Sequence, residues 1–296
     1  MTGKRRTRDP DVWTSLASAW PDLKCEREVA RDIRSIADRV ILRAGESLNH
    51  SVPYHPVVQK DIGLDRYRAI CLCFLLFARD SFDALTRLLA ARLPVQAKAL
   101  TRALFEANIE LIYISAKPAD RALKFATFLP AAEKRYQDAV GRFAPHLVDP
   151  KRKEKVDAEY EPVRGLHGDA KGQPRRTWCG MTFEQLCKHA EKIAQGWGSL
   201  YPLLWVGHSG YVHASPLAVL QYDPGNPKEM RTKAADDPVV ASGDLLAGSY
   251  LLFAVTWITD KAFSLGFDKK LSDWRHSVER LAADLGNTCG ERLVDG

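Results

Sequence analysis

Between residues 23 and 48 apolar side chains return at Val29, Ile33, Ile36, Val40 and Ile41, with arginines and carboxylates between them. That interval is the period of an amphipathic helix, one face apolar and the other solvated. Residues 49–56 hold two prolines and two histidines and read as a loop. A long helix is expected over 66–93, apolar in its middle at 69–78. Pro94 suits the first turn of the next helix, where its missing N–H costs nothing. That helix should stop before Pro118.

Residues 119–143 repeat the amphipathic pattern, and 151–165 form a shorter charged helix. Residues 165–180, with Gly168, Gly172 and Pro174, are the most loop-like part of the chain. Thr182-Phe-Glu-Gln185 fits a capping box, in which the threonine oxygen and the glutamine side chain satisfy each other's backbone N–H groups. After a break at Gly196 and Gly198, a helix is expected over 201–215. An irregular polar insertion follows at 221–240, then an apolar helix at 242–265 and a surface helix at 270–285. No alternating strand pattern and no internal repeat interrupts this series. The expected fold is all-α, a multi-helix bundle with one domain over 21–286, a basic arm at 1–20 and a tail at 287–296.

Composition narrows the class. Of 296 residues, 46% are apolar and 27% charged, the balance of a folded globular protein rather than a disordered chain. Six cysteines are too few for a disulfide scaffold. The uncharged stretch at 245–259 is shorter than the roughly twenty residues a membrane span needs. The uncharged stretch at 193–222 contains Pro202, Pro216, His208, His213 and four glycines, unsuited to a lipid-facing helix. Both read as buried core. No signal peptide is visible, so a cytoplasmic protein without a membrane partner is expected. The long apolar stretches at 69–78 and 245–259 also suggest a homodimer.

Net charge is +6. It concentrates at Lys4, Arg5, Arg6 and Arg8, at Lys151, Arg152, Lys153 and Lys155, and at Arg175 and Arg176. Solvated surface charge and contact with a nucleic acid both fit such clusters.

The familiar catalytic signatures are missing. There is no phosphate-cradling glycine loop, no Gly-x-Gly-x-x-Gly and no His-Glu-x-x-His. Cys71 and Cys73 are too close for a zinc knuckle and are expected in the core. Cys179 and Cys187 flank a helix start, which leaves metal or redox use open. Three places then carry misplaced polarity. Arg102, Glu106 and Glu110 are spaced by four within an otherwise apolar helix, so they fall in one line. That line is either a solvent stripe or a polar seam inside the bundle, where Glu106 must answer Arg102. Ser209 and His213 lie one helical turn apart, as a hydroxyl and a general base would, or as a histidine tied to a local hydroxyl. Arg164-Gly-Leu-His167-Gly-Asp169 is a plain loop or a lid.

These blocks resemble a known group. Lys98-Ala-Leu-Thr-Arg102-Ala-Leu-Phe-Glu106-Ala with Tyr113, then Trp178, Tyr201 and Ser209-Gly-Tyr-Val-His213, is similar to an uncharacterised bacterial family of helical proteins, a domain of unknown function, over about residues 65–265. A looser likeness is to the HEPN superfamily of compact helical proteins, which often dimerise and include metal-independent ribonucleases. The usual HEPN signature places an Arg four to six residues before a His. Here Arg102 precedes Glu106 and no Arg precedes His213, so Arg102 and His213 would have to meet from different helices. The HEPN likeness implies RNA phosphodiester cleavage without cofactor or metal, in a toxin or phage-defence effector. His213 would be acid or base, Arg102 would stabilise the phosphorane, and Glu106 would orient Arg102. Ser209 completes the expected catalytic set, with Tyr201, Tyr211, Arg175 and Arg176 binding substrate. Two rivals remain: a non-catalytic interaction protein whose polar network fixes helix register, and a metal hydrolase using Glu106, Glu110, His208 and His213.

Overall fold

The computed structural model describes residues 12–48, 63–212 and 233–294, with the side chains at 233, 234, 282 and 284–294 left aside. In chain order the helices are α1 (Val12–Ala19), α2 (Lys24–Ser47), α3 (Gly63–Ala90), α4 (Pro94–Ser115), α5 (Pro118–Ala126) and α6 (Leu129–Phe143). They continue as α7 (Pro150–Tyr160), α8 (Arg164–His167), α9 (Phe183–Ile193), α10 (His208–Val212), α11 (Pro238–Phe263) and α12 (Asp268–Val294). Short 3-10 turns and one π-helical segment, Tyr201–Gly207, connect them. Among the described residues there is no strand, only an isolated bridge between Gly168 and Pro174. The fold is an all-α multi-helix bundle.

The span read as one domain holds two compact units. One lies within Met1–Ser47, Cys71–Asn108 and Ser199–Gly296, the other within Leu48–Ile70 and Ile109–Gly198. Helices α3 and α4 therefore contribute to both.

The core of the first unit is α11, packed on α2 and α12. This helix is mostly apolar, and its polar groups have partners: Ser242 donates to Glu26 of α2 at 2.9 Å. Ser249, Thr256 and Thr259 each donate to the carbonyl four residues back, at 2.7, 2.7 and 2.8 Å. Alone among the described helices, Pro238–Phe263 is long and apolar enough to cross a membrane, and 72% of its apolar window is buried inside the protein. The stretch at 245–259 is thus largely spent on the core. Gly248 permits close packing here: a Cβ would stand 3.0 Å from Leu85 Cδ1 of α3. Asn108, fully buried at the end of the α4 stretch, donates to the carbonyls of Leu104 and Leu251 at 2.9 and 3.0 Å and so pins α4 to α11.

The predicted apolar face of α2 is buried at Val29, Ile33, Ile36 and Val40. Trp274 of α12 donates to the Val29 carbonyl at 2.8 Å and stacks on Phe253 at 4.9 Å. Several sequence expectations change. Part of the supposed N-terminal arm is ordered as α1, because Leu16 and Trp20 are buried and the Trp20 indole donates to the Leu89 carbonyl at 2.8 Å. Helix α12 runs to Val294, past the expected end at 285 and through most of the supposed tail. Cys71 is buried as expected, but Cys73 is exposed, since two positions along a helix is more than half a turn.

In the second unit the helix expected over 119–143 is two helices. Pro130 has no N–H to continue the ladder and its ring crowds the Ala126 carbonyl, so α5 ends at Ala126 and Pro130 takes the first turn of α6, while the Thr127 hydroxyl donates to the Leu123 carbonyl at 2.7 Å. The capping box at Thr182 and Gln185 forms as its sequence requires, with both reciprocal hydrogen bonds. The loop after His167 is tied down rather than free to act as a lid. His167 is fully buried, its Nε2 lies 2.9 Å from Thr127 Oγ1, and its ring meets Phe128 edge-on. Asp169 Oδ1 accepts from the backbone N–H groups of Lys171 and Gln173, which closes the turn. Trp178 packs against Tyr113 and Phe125.

Candidate functional site

Helix α4 presents Lys98, Arg102 and Glu106 at intervals of four, so the line picked out at Arg102 and Glu106 begins one turn earlier. Arg102 Nε donates to Glu106 Oε1 at 2.9 Å, with the Arg102 side chain 14% exposed and Glu106 40% exposed. The line is therefore neither an open solvent stripe nor a sealed seam. It is a covered cation leaning on a half-open carboxylate.

The covering comes from the π-helical segment. Trp205 donates its indole N–H to the same Glu106 Oε1 at 2.7 Å. Its ring faces Arg102, with the guanidinium carbon 4.5 Å from the centroid, and stacks on Tyr201 at 5.3 Å and 15°. An α-helix was expected here. Pro202 and Gly207 lie within the π stretch, the one lacking a backbone donor and the other a poor helix former, so the α-helical ladder is weak. Such π segments recur at functional sites. Ser209 donates to the Trp205 carbonyl at 2.5 Å, so its hydroxyl proton is committed to the backbone of the π segment.

A second pair stands one turn back. Lys98 Nζ lies 3.2 and 3.3 Å from the two carboxylate oxygens of Asp244 on α11, whose side chain is only 5% exposed. Burial pushes the Asp244 carboxyl above the usual carboxylate range, and Lys98 opposes that shift. The same ammonium lies 5.6 Å from the Tyr211 ring. His208, at the start of α10, meets Tyr211 edge-on at 6.5 Å. Burial lowers the His208 imidazole to about 4, helped by the positive charges of Lys98 and Arg102, while a hydrogen bond to the Lys98 backbone works the other way. The ring is consequently neutral near pH 7. Two polar atoms in this cluster are buried without a hydrogen-bond partner, Arg102 Nη1 and His208 Nδ1.

The structure thus gathers Arg102, Glu106, Tyr201, Ser209 and Tyr211 into one unit. It adds Trp205 and Asp244, which the sequence reading passed over. Lys98 and His208 were noticed only in other roles. Arg175 and Arg176 belong to the other unit, where Arg175 Nε donates to the Gly168 carbonyl at 2.9 Å and the Arg176 carbonyl accepts from Arg135. His213 lies outside the described residues. Among the described residues no group of three His, Cys, Asp or Glu side chains is placed to hold a metal ion.

Chemically the cluster can hold an anion. Two cations sit one helical turn apart, each fixed by its own carboxylate, and both leave donors over. A neutral imidazole feels both charges. The guanidinium edge is preoriented, the geometry in which arginine binds phosphate best, but its Nη1 is shut off from solvent, so a phosphate reaches it only when a covering side chain moves aside.

Comparison with known proteins gives a family and no activity. The family model described as Family of unknown function (DUF5677) matches residues 68–226, more than half of the chain, and spans α4 and the π segment. No curated protein and no solved structure matches. Nothing in these comparisons carries the looser HEPN likeness.

Proposed function

The chain belongs to DUF5677, a family of unknown function, and from that premise we propose that it cleaves RNA at the site built on α4 and the π segment. The observation that carries this reading is Arg102. Its Nε is held by Glu106 and its face by Trp205, while Nη1 is buried without a partner. A guanidinium fixed in this way, with a donor left over, suits a phosphorane whose charge develops only during reaction.

In the proposed step the 2′-hydroxyl oxygen attacks phosphorus and gives its proton to a neutral imidazole. The P–O5′ bond breaks, and the departing oxygen takes a proton from a second imidazole that starts the step protonated, as an imidazolium. The products are a 2′,3′-cyclic phosphate and a 5′-hydroxyl, so atoms and charge balance. His208 supplies the neutral ring, and His213 is assigned as its partner from the sequence. Glu106 is a positioning residue for Arg102. The test is incubation of purified protein with labelled single-stranded and transfer RNA, with and without EDTA. Cleavage should persist in EDTA, fall by several orders of magnitude in Arg102→Ala, and not return in Arg102→Lys, because one ammonium cannot reproduce a forked contact. Absence of cleavage under every condition overturns the reading.

One observation favours a second reading. Glu106 Oε1 already accepts from two donors on separate elements, Arg102 and Trp205. That alone would fix the register of the π segment on α4 in a non-catalytic interaction protein. Loss of fold without any measurable chemistry in Glu106→Ala would support it.

A further inference from the structure

Away from that site, in the second unit, α6 and α7 border a groove of about 1090 Å3. Six cations line it against three carboxylates. Three of the cations are answered. Lys134 bridges Asp138 and Asp157 at 2.8 Å each, Lys153 also meets Asp157 at 2.8 Å, and Arg164 reaches Glu161 at 3.5 Å. The excess falls on Arg135, Arg142 and Arg176, none of which pairs with a carboxylate among the described residues. Arg135 Nη1 donates to the Arg176 backbone carbonyl at 2.6 Å, which orients the guanidinium without neutralising it.

The sequence of α6 adds rings to this charge. Arg135-Tyr136 recurs seven residues later as Arg142-Phe143. Seven residues are two helical turns, so both pairs face the same way about 10 Å apart along the axis. Tyr136 is 63% exposed and Phe143 is 85% exposed. Arg142 lies 5.9 Å from the Phe143 ring centroid, so charge and ring share one surface. Exposing two aromatic rings to water beside unpaired guanidinium groups brings the fold no stability. It is what a single-stranded nucleic acid requires, because guanidinium forks meet the backbone phosphates and rings stack on unpaired bases of any sequence. An acidic protein partner would meet the same charges and rings, so competition by polyglutamate is one arm of the test, and a duplex keeps its bases out of reach.

We propose that this α6–α7 groove binds single-stranded nucleic acid through Arg135, Arg142 and Arg176, with Tyr136 and Phe143, exposed on α6 outside the groove lining, as stacking platforms. The groove extends the RNA reading given above, yet its own residues carry it, so binding and cleavage test the two ideas separately.

The experiment is fluorescence anisotropy with the full chain and labelled oligonucleotides of one sequence, as single-stranded RNA, single-stranded DNA and duplex. Arg142→Glu with Arg176→Glu changes two exposed side chains and leaves Arg135 tied. It should weaken single-strand binding by about tenfold or more and flatten the salt dependence, since each lost phosphate contact removes about 0.7 from the slope of log K against log salt. Tyr136→Ala with Phe143→Ala should weaken single strands by a similar factor with little change in salt slope. Equal binding of both single strands supports a shared backbone-and-base site, and preference for RNA ties it to the cleavage reading. Duplex bound as tightly as single strands, full competition by polyglutamate, or wild-type affinity in either double variant overturns the proposal. The same double arginine substitution should cost the same factor in an Arg102→Ala background. If the wild-type chain binds through the groove while no protein cleaves, the groove stands and the cleavage reading falls.

Discussion

The Trp205 indole donates to the Glu106 carboxylate at 2.7 Å, joining the π segment to α4 across 99 residues of sequence. Through that one oxygen Glu106 also holds Arg102, so removing the carboxylate releases two donors at once. Glu106→Ala should destabilise the protein by about 2 kcal/mol. That lies above the value of about 1 kcal/mol for an exposed pair and below the 3–5 kcal/mol for a sealed one, because Glu106 is partly open to solvent. Glu106→Gln keeps an acceptor for Trp205 and should lose about half as much. Urea melts measure both, and an unchanged midpoint in Glu106→Ala would show that the contact holds nothing together.

The Lys98–Asp244 pair is more deeply covered, and breaking it should cost more. Asp244→Ala leaves an ammonium in a site that is only 16% exposed, at a loss of about 3 kcal/mol. Lys98→Met combined with Asp244→Leu removes both charges and should recover most of that loss, since a buried pair contributes little beyond a well-packed apolar substitute. A double-mutant cycle in denaturant gives the coupling. Independent, additive losses at the two positions would contradict the packing described here.

A phosphate ligand can be followed directly at His208. In the free protein its imidazole is lowered to about 4 by burial and by the charges of Lys98 and Arg102. An anion held by Arg102 would offset those charges and raise the value toward the ordinary 6.5. Titrating the His208 ring protons by NMR in increasing inorganic phosphate should move the midpoint upward, and Arg102→Ala should abolish the movement. A midpoint indifferent to phosphate would remove the anion site.

How far the sequence led depends on distance along the chain. The helical periods of α2 and α4 and the capping box at Thr182 are local, and each is complete within a few residues. The Arg102–Glu106 contact was legible for the same reason. Lys98 was readable as the start of that line, but its partner Asp244 lies 146 residues away, just before the uncharged stretch 245–259 of α11. No local rule links the two. The π winding at Tyr201–Gly207 escaped because a helix-length apolar pattern is satisfied by either winding, and only packing against Arg102 and Glu106 distinguishes them. The break before Pro130 was within reach of a local rule, since an interior proline interrupts a helix, but the amphipathic period continues on both sides and hides it.

His167 gives a prediction about acid. Thr127 spends its hydroxyl proton on the Leu123 carbonyl at 2.7 Å, so toward His167 Nε2, at 2.9 Å, its oxygen can only accept. His167 is therefore the neutral tautomer protonated on Nε2, and its Nδ1 is buried without a partner. A second proton would enter at Nδ1 with nothing to receive it. Burial lowers the imidazole to about 4, and the charges of Arg175 and Lys124 add to the effect. In the unfolded chain the same ring titrates near 6.5. Between those values the unfolded state binds a proton that the folded state refuses, so stability falls as pH drops from about 6.5 to about 4 and the effect levels off below that. One such group steepens the dependence by at most about 1.4 kcal/mol per pH unit. His208 acts in the same direction, while burial raises the carboxyls of Asp244 and Asp260, which act the other way. His167→Gln keeps a donor for Thr127 and removes one titration, and it should lower the slope between pH 6 and pH 4.5 by up to about 1.4 kcal/mol per pH unit in chemical denaturation, even if it lowers stability at pH 7. A variant whose stability still falls as steeply as wild type across that interval would place the acid-sensitive group elsewhere.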